Sequence, residues 1–184
     1  MLMLHVTGDD IWEPLFRETM DSAFHLEVRD SYAVADEAEA LRRWAAGEPY
    51  EREEQPDTWR AWDELMIETA GRGVALERLR VVTVPHSDYV RWLLDNTDDN
   101  VETGETVRWL PRHQVQPATV PADDYWLFDQ AKVAYTTFAD DGAFMGLSIS
   151  TDPHLVGWAV EARDSLWPYG IDHAAYVASE HVRA

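Results

Sequence analysis

A strand–helix–strand spacing in the second half of the chain restricts the fold more than any other feature of the sequence. A β-branched run, Leu79 to Val84, stops at Pro85 and predicts a strand. Ser87 or Asp88 can cap a helix after it, and 106–110 reads as a second strand. A crossover of about 20 residues suits a parallel βαβ unit. We therefore expect the two strands to pair in parallel through a right-handed crossover.

Helical segments precede this unit, and strands follow it. Asp36 with Glu39 forms a pair typical of a helix start, and Gly47 is a typical helix end. Apolar spacing predicts helices over 9–20, 36–46 and 57–70, a short strand over 23–28, further strands over 124–129, 132–138 and 143–150, and a helix from 152. The fold class is therefore α+β: N-terminal helices, then a βαβ unit and a β-meander forming one mixed sheet, with a C-terminal helix.

The length of 184 residues is typical of one domain. Two charged or proline-bearing stretches, 47–56 and 114–121, are too short to be flexible linkers. We therefore expect a single domain over 1–184, with an N-terminal helical subregion over 1–56 and a mixed-sheet core over 57–184.

Export and membrane insertion are not expected. No apolar run approaches the roughly 18–20 residues of a membrane helix, and the first residues lack the basic and apolar regions of a signal peptide. The absence of cysteine excludes disulfides and thiolate metal sites. These features predict a cytoplasmic protein.

The charge balance bears on the class of partner. The chain carries 35 acidic and 15 basic residues, a formal net charge of −20. Such a chain repels polyphosphates, so direct binding of DNA or RNA is disfavoured. The acidity either serves solubility alone or provides a face that docks onto a basic partner, such as a DNA-binding protein. Nine tryptophans can serve both the core and an interface.

Motifs of known chemistry are missing from the sequence. The seven histidines show no metal-binding spacing, and the acidic pairs form no EF-hand loop. Phosphate-binding glycine loops are absent, and the segment 146–150 lacks the second glycine of a nucleophile elbow. We therefore predict no metal, no cofactor and no catalytic residue.

The carboxyl edge of the βαβ unit is a candidate binding site, because ligands bind at this edge in open α/β sheets. His86 and Asp88 follow the first strand, and Arg112 and His113 follow the second. Asp129 joins them if its strand runs the same way. These groups can hold an anion or perform acid–base chemistry; alternatively, Asp88 caps its helix and Arg112 pairs with a carboxylate.

Two further arginines belong to this proposed set of binding residues. Arg91 and Arg108 are basic groups in a strongly acidic chain and lie near the proposed edge. They serve either the structure or the binding of an anion.

Several separated motifs support a resemblance to a protein family. They are Val81-Val82-Thr83-Val84-Pro85-His86-Ser87-Asp88-Tyr89 with Arg91, then Asn100, Gly104-Glu105, Val107-Arg108, Leu110 and Arg112, with Asp124-Tyr125-Trp126-Leu127-Phe128-Asp129 and Ser22-Ala23-Phe24-His25-Leu26-Glu27. Over nearly the whole chain, the sequence resembles an uncharacterised domain family of streptomycetes and related actinobacteria. This resemblance implies a cytoplasmic actinobacterial protein, often encoded beside helix-turn-helix regulators of the Xre type, and offers no catalytic residues to transfer.

A more distant resemblance is to half of the phospholipase D-like fold, including its inactive versions in bacterial regulators. It rests on a strand, helix and strand followed by a hairpin that contains the sequence WLFD. Active members carry His-x-Lys with an Asp five residues after the Lys. If Asp129 is that Asp, Ala122 and Asp124 occupy the His and Lys positions, so the resemblance implies no phosphodiesterase activity.

These observations lead to one expectation and one alternative. We expect a non-catalytic regulatory or binding protein that acts through a helix-turn-helix regulator or a small ligand. The alternative is a small-molecule enzyme that uses the edge formed by His86, Asp88, Arg112 and His113. The sequence leaves the ligand, the partner and the oligomeric state open.

Overall fold

The structure is a computed structural model that describes residues 3–8, 11–50 and 54–182. Its centre is one mixed sheet of eight strands in the order β1-β7-β6-β5-β2-β3-β4-β8. The strands are β1 (Leu4–Val6), β2 (Ser22–Glu27), β3 (Ala75–Val82), β4 (Glu105–Pro111), β5 (Tyr125–Phe128), β6 (Lys132–Phe138), β7 (Phe144–Ser150) and β8 (Ile171–Asp172).

Helices cover the sheet. They are α1 (Trp12–Glu18), α2 (Ala38–Ala46), α3 (Asp57–Gly71), α4 (Asp88–Glu102), α5 (Pro153–Leu166) and α6 (His173–Val177). The predicted α+β class, with its mixed sheet and C-terminal helix, is confirmed. Within the described ranges, no helix is long and apolar enough to cross a membrane.

The predicted βαβ unit is present. Strands β3 and β4 pair in parallel, with Leu79 opposite Arg108 and Val81 opposite Leu110, and α4 connects them. The Ser87 hydroxyl caps α4 by accepting a hydrogen bond from the Val90 amide at 3.1 Å, so Ser87 is the cap and Asp88 is the first helical residue.

The short strand predicted over 23–28 lies in the middle of the sheet. As β2, it pairs in parallel with β3 and antiparallel with β5. Its central residues are buried, with Phe24 2% and Leu26 0% exposed. Because β2 lies within 1–56, the predicted helical subregion, the sheet contains strands from both predicted subregions, 1–56 and 57–184.

The predicted helix start at Asp36 and Glu39 is wrong. A 3₁₀ turn over Ala35–Glu37 precedes α2, whose first residues receive no side-chain cap. Asp36 instead accepts a hydrogen bond from the Thr58 hydroxyl at 2.6 Å, and Glu39 pairs with Arg42. Contact between this 3₁₀ turn and the start of α3 thus replaces the local capping pair. Gly47 ends α2 as predicted, in the left-handed conformation (φ 68°).

The two faces of the sheet bury separate apolar clusters. On one face, α5 packs over Phe24, Leu26, Leu79, Val81 and Tyr125. On the other face, α1 and α3 cover one end, while α4 and α6 cover the strands β3 and β4. A tract of charged and aromatic side chains lies between these last two apolar clusters, and the candidate site is there.

Candidate functional site

The carboxyl edge of the parallel strands contains His86, but its side chain is already engaged. The His86 ring is buried, and its Nδ1 lies 2.8 Å from the carbonyl oxygen of Thr83. Its Nε2 lies 3.2 Å from the hydroxyl of Tyr176. Both ring nitrogens therefore bind groups of the protein itself.

The other predicted residues of this edge are occupied separately. Asp88 forms an exposed ion pair with Arg91. A terminal nitrogen of Arg112 donates to the carbonyl oxygens of two neighbouring strand ends, Val28 and Val81. The His113 ring packs against the ring of His181, with centroids 6.0 Å apart. No hydrogen bond among the described residues joins any two of His86, Asp88, Arg112 and His113.

Arg108 and Asp129 lie away from this edge. Arg108 sits on the α5 side of the sheet, 2.9 Å from Asp172 and over the ring of Trp167. Asp129 directly follows β5, which runs antiparallel to β2, so the condition for joining the edge is not met. Its carboxylate instead accepts the backbone amides of residues 20–22 at the opposite edge.

A cleft of about 410 Å³ opens on the sheet face between α3 and α4. Nine aromatic side chains line it, and they come from seven segments of the chain. The lining rings are Trp12, Tyr32, Trp59, Trp62, Tyr89, Trp92, Trp126, Phe138 and Phe144. Many of these rings touch edge to face; Trp12 and Trp62, for example, lie 5.8 Å apart at 82°. Such contacts hold large apolar surfaces in fixed positions.

A network of buried ion pairs forms the floor of the cleft. Arg78 binds both carboxylate oxygens of Glu105, at 2.6 and 3.0 Å, and also donates to Glu27. Arg80 donates to Glu27 at 2.6 Å and to the hydroxyl of Thr97. All four ionic side chains are at most 11% exposed. Buried ions of this kind persist only when each is paired and hydrogen-bonded.

His25 completes the floor as a neutral ring. It stacks on Trp126 with centroids 4.3 Å apart, and its Nδ1 lies 2.9 Å from a terminal nitrogen of Arg78. Burial and the neighbouring Arg78 charge hold the pKa of His25 well below its ordinary value. Because Arg78 can only donate, His25 Nδ1 accepts this hydrogen bond.

Two further carboxyl groups line the cleft, and their hydrogen-bond partners are neutral. The Tyr89 hydroxyl donates to Glu37 at 2.6 Å, and the Val28 amide donates to Asp124 at 2.7 Å. Burial raises the pKa of Glu37 to about 7 and the pKa of Asp124 to about 6. Across the described chain, no ion pair involves either carboxylate.

Two buried hydroxyl groups in the cleft wall do not form a well-aligned hydrogen bond. The oxygens of Tyr32 and Thr136 are buried, and neither makes a hydrogen bond of normal geometry within the described chain. The Tyr32 hydroxyl faces the carboxylate of Asp124. A buried hydroxyl without a partner is costly, so these groups are available to a polar ligand.

Sequence reasoning missed this site, although β3 carried a signal. Arg78 and Arg80 stand two residues apart within an otherwise largely apolar strand, and His25 and Glu27 show the same spacing in β2. Alternate residues share a face of a strand, so both pairs point to one charged patch inside the sheet. The tryptophans carry no comparable signal, because they come from distant segments.

A second, wider cleft lies on the opposite side of the sheet, along α5. It holds Trp158, which is 72% exposed. In the segments that the structure describes, no group of three or more histidine and acidic side chains is arranged to hold a metal ion.

Comparison with known proteins identifies the family. The family described as "Domain of unknown function (DUF6879)" matches residues 10–178, so the chain belongs to that family. No curated protein matches the sequence.

Among solved structures, the fold is similar to that in "Structure of TrmBL2, an archaeal chromatin protein, shows a novel mode of DNA binding", with a TM-score of 0.50 and 12% identity. The likeness covers 92% of this chain and 54% of that one, so the chain spans about half the length of the chromatin protein.

Proposed function

We propose that this member of the DUF6879 family is a non-catalytic regulatory protein that takes a small ligand into the tryptophan-lined cleft and acts on a helix-turn-helix regulator. The observation that carries the proposal is the cleft itself. Aromatic rings line it, and two buried hydroxyls there, of Tyr32 and Thr136, make no hydrogen bond of normal geometry within the described chain. Ligand sites in proteins combine a concave, mostly apolar surface with a few converging polar groups.

The floor of the cleft supports binding because it is rigid. Arg78 and Arg80 are held by Glu27 and Glu105 through several hydrogen bonds, so the site needs little reorganisation when a ligand enters. Preorganisation of this kind lowers the cost of binding. The volume of about 410 Å³ suits a ligand of metabolite size.

An acid–base enzyme in the same cleft is the second candidate. A carboxyl group with a pKa near 7, such as Glu37, is a common feature of catalytic sites. We favour binding because the described part of the cleft shows no activated nucleophile beside that group. Turnover of a bound ligand, lost in Glu37→Gln, would favour the enzyme. The resemblance to the phospholipase D-like fold implies no phosphodiesterase activity, because Ala122 and Asp124 occupy the His and Lys positions if Asp129 is the Asp of that motif.

The proposed partner follows from charge and from the sequence resemblance. A net charge of −20 favours encounter with a basic surface such as that of a DNA-binding regulator. The structurally similar chromatin protein binds DNA, but we propose that this chain does not, because it would repel the phosphate backbone. An actinobacterial origin and a cytoplasmic location belong to the same proposal.

The ligand proposal is tested by mass spectrometry of the protein purified from its native host. We expect a small molecule that stays bound under native conditions and is released on denaturation. Trp59→Ala should lose it, because Trp59 lines the cleft, whereas Trp158→Ala, on the opposite side of the sheet, should keep it. A native-host protein that carries no ligand, and whose melting temperature no metabolite fraction changes, contradicts the proposal.

The partner proposal is tested with the regulator encoded beside the gene. Binding at micromolar concentration is expected, and association should slow as ionic strength rises, because exposed charges are screened beyond about 8–10 Å. Failure to form a complex, or a complex indifferent to salt, removes this part of the proposal and leaves the cleft untouched.

A further inference from the structure

Among the residues that the structure describes, more acidic than basic side chains line the cleft. Among the described lining residues, the acids are Glu27, Glu37, Asp63, Asp99 and Asp124, and the bases are Arg78 and Arg80. The buried Glu105 adds a further carboxylate next to Arg78. The two arginines are paired with Glu27 and Glu105, so the carboxylates of Glu37 and Asp124 are left with neutral hydrogen-bond donors.

Removal of these two carboxylates from water is costly as long as the cleft is empty, and Glu37 is the less buried of the two. Asp124 is only 1% exposed. Glu37 is faced by the Tyr89 hydroxyl, by the charge of Glu27 and, more weakly, by Arg80 and Arg78. Desolvation is the main reason that the pKa of each carboxyl group is raised. A cation placed in the cleft would offset that cost by pairing with both groups.

The aromatic walls suit the same kind of ligand. Faces of tryptophan and tyrosine rings attract cations within about 6 Å, and cages of such rings recognise quaternary ammonium groups. The cleft already holds one cation in this way, since the Arg78 guanidinium lies over the ring of Trp126 at 5.5 Å from the centroid. Trp59, Trp62 and Trp92 supply further rings to the lining of the same cleft.

We propose that the ligand of the cleft is an organic cation, a quaternary ammonium or protonated amine on an apolar body, held by the aromatic walls and by the carboxylates of Glu37 and Asp124. This inference rests on the proposed function, because it names the chemical class of the ligand for the same cleft. The Tyr32 and Thr136 hydroxyls would bind a polar substituent of that ligand.

Three probes of nearly equal shape test the charge preference. Choline carries a positive charge, 3,3-dimethylbutan-1-ol is its neutral carbon analogue, and 3,3-dimethylbutanoate is an anion. Titrations followed by tryptophan fluorescence and NMR should show that choline binds about tenfold or more tightly than the alcohol, and that the anion binds most weakly. Equal affinity for choline and the alcohol, or preference for the anion, overturns the inference.

Variants locate the effect in the cleft. Glu37→Gln keeps an acceptor for Tyr89 but removes the charge, so it should weaken choline binding severalfold and leave binding of the alcohol unchanged. Glu64→Gln makes the same charge change at an exposed position of α3 outside the cleft and should bind choline like the wild type. Equal losses in both variants would contradict the assignment.

A second pair of variants serves if Glu37→Gln does not fold. Trp59→Leu should reduce choline affinity, whereas Trp158→Leu, on the α5 side, should not. Unchanged choline affinity in Trp59→Leu overturns the inference.

Failure of the cation preference and failure of the proposed function give different results in these experiments. If none of the three probes binds at millimolar concentration, the inference is overturned, while a ligand detected by native mass spectrometry still supports binding in the cleft. If choline binds as expected but no native ligand is found, the cation preference stands and the regulatory role does not.

Discussion

Arg78 and Arg80 bring two positive charges into the interior of the sheet, where carboxylates match them. Arg78→Met removes the charge but keeps much of the aliphatic stem, and it leaves Glu105, whose side chain is fully buried, without a charged partner and with only the Asn100 amide as a donor. We expect the free energy of unfolding to fall by about 3–5 kcal/mol, measured by urea denaturation. The control is Arg91→Met, which breaks an exposed pair with Asp88 and should cost less than about 1 kcal/mol. Similar costs for the two variants would contradict the structural role of Arg78.

Glu37 gives the stability a dependence on pH. Folding raises its pKa to about 7, so the native state holds the proton more tightly than the unfolded chain does. The contribution of Glu37 to stability is therefore full below its ordinary pKa and is lost as pH rises through about 7. Relative to Glu37→Gln, the wild type should lose up to about 3 kcal/mol between pH 4.5 and pH 8. Urea denaturation across this range measures the difference, and a constant difference would contradict the burial of this carboxyl group.

At the scale of elements, Ser87 links the start of α4 to the loop that follows β2. The Ser87 hydroxyl caps the Val90 amide at 3.1 Å and donates to the Asp30 carbonyl at 2.5 Å. Ser87→Ala loses both bonds, so we expect a cost of about 1–2 kcal/mol. Ser165→Ala, at an exposed position of α5, should change the unfolding free energy by less than about 0.5 kcal/mol. Thermal and urea denaturation of the two variants make the comparison, and equal effects would count against this cap.

At the scale of the whole molecule, the net charge of −20 opposes compactness through self-repulsion. Added salt screens exposed charges and acts much less on buried pairs such as Arg78 with Glu105. The melting temperature should therefore rise by a few degrees between about 20 mM and about 200 mM NaCl. The same rise in KCl would show screening rather than binding of a particular ion. A falling melting temperature would mean that surface attractions outweigh the repulsion.

The elements that depend on near neighbours were predictable from the sequence. The β-branched run before Pro85, the helix start at Ser87, and the spacing to the next strand define the βαβ unit, and the structure confirms its parallel pairing. Asp140-Asp141-Gly142, a sequence typical of a hairpin turn, likewise lies between the strands predicted over 132–138 and 143–150, with Gly142 at φ 86°. In each case the signal lies within a few residues, where backbone geometry and capping act directly.

Only the tertiary structure decided where the site lies. The strand order places β2 between β5 and β3, which brings His25 and Glu27 beside Arg78. Because β5 pairs with β2 in the antiparallel direction, Asp129 lies at the edge opposite to the predicted one. The tryptophans at 12, 59, 62, 92 and 126 meet only after α1, α3 and α4 pack on one face of the sheet. Local pattern determined the elements of this protein, because helix and strand preferences act over a few residues. Long-range pairing and burial determined the cleft, because its walls are far apart in the chain.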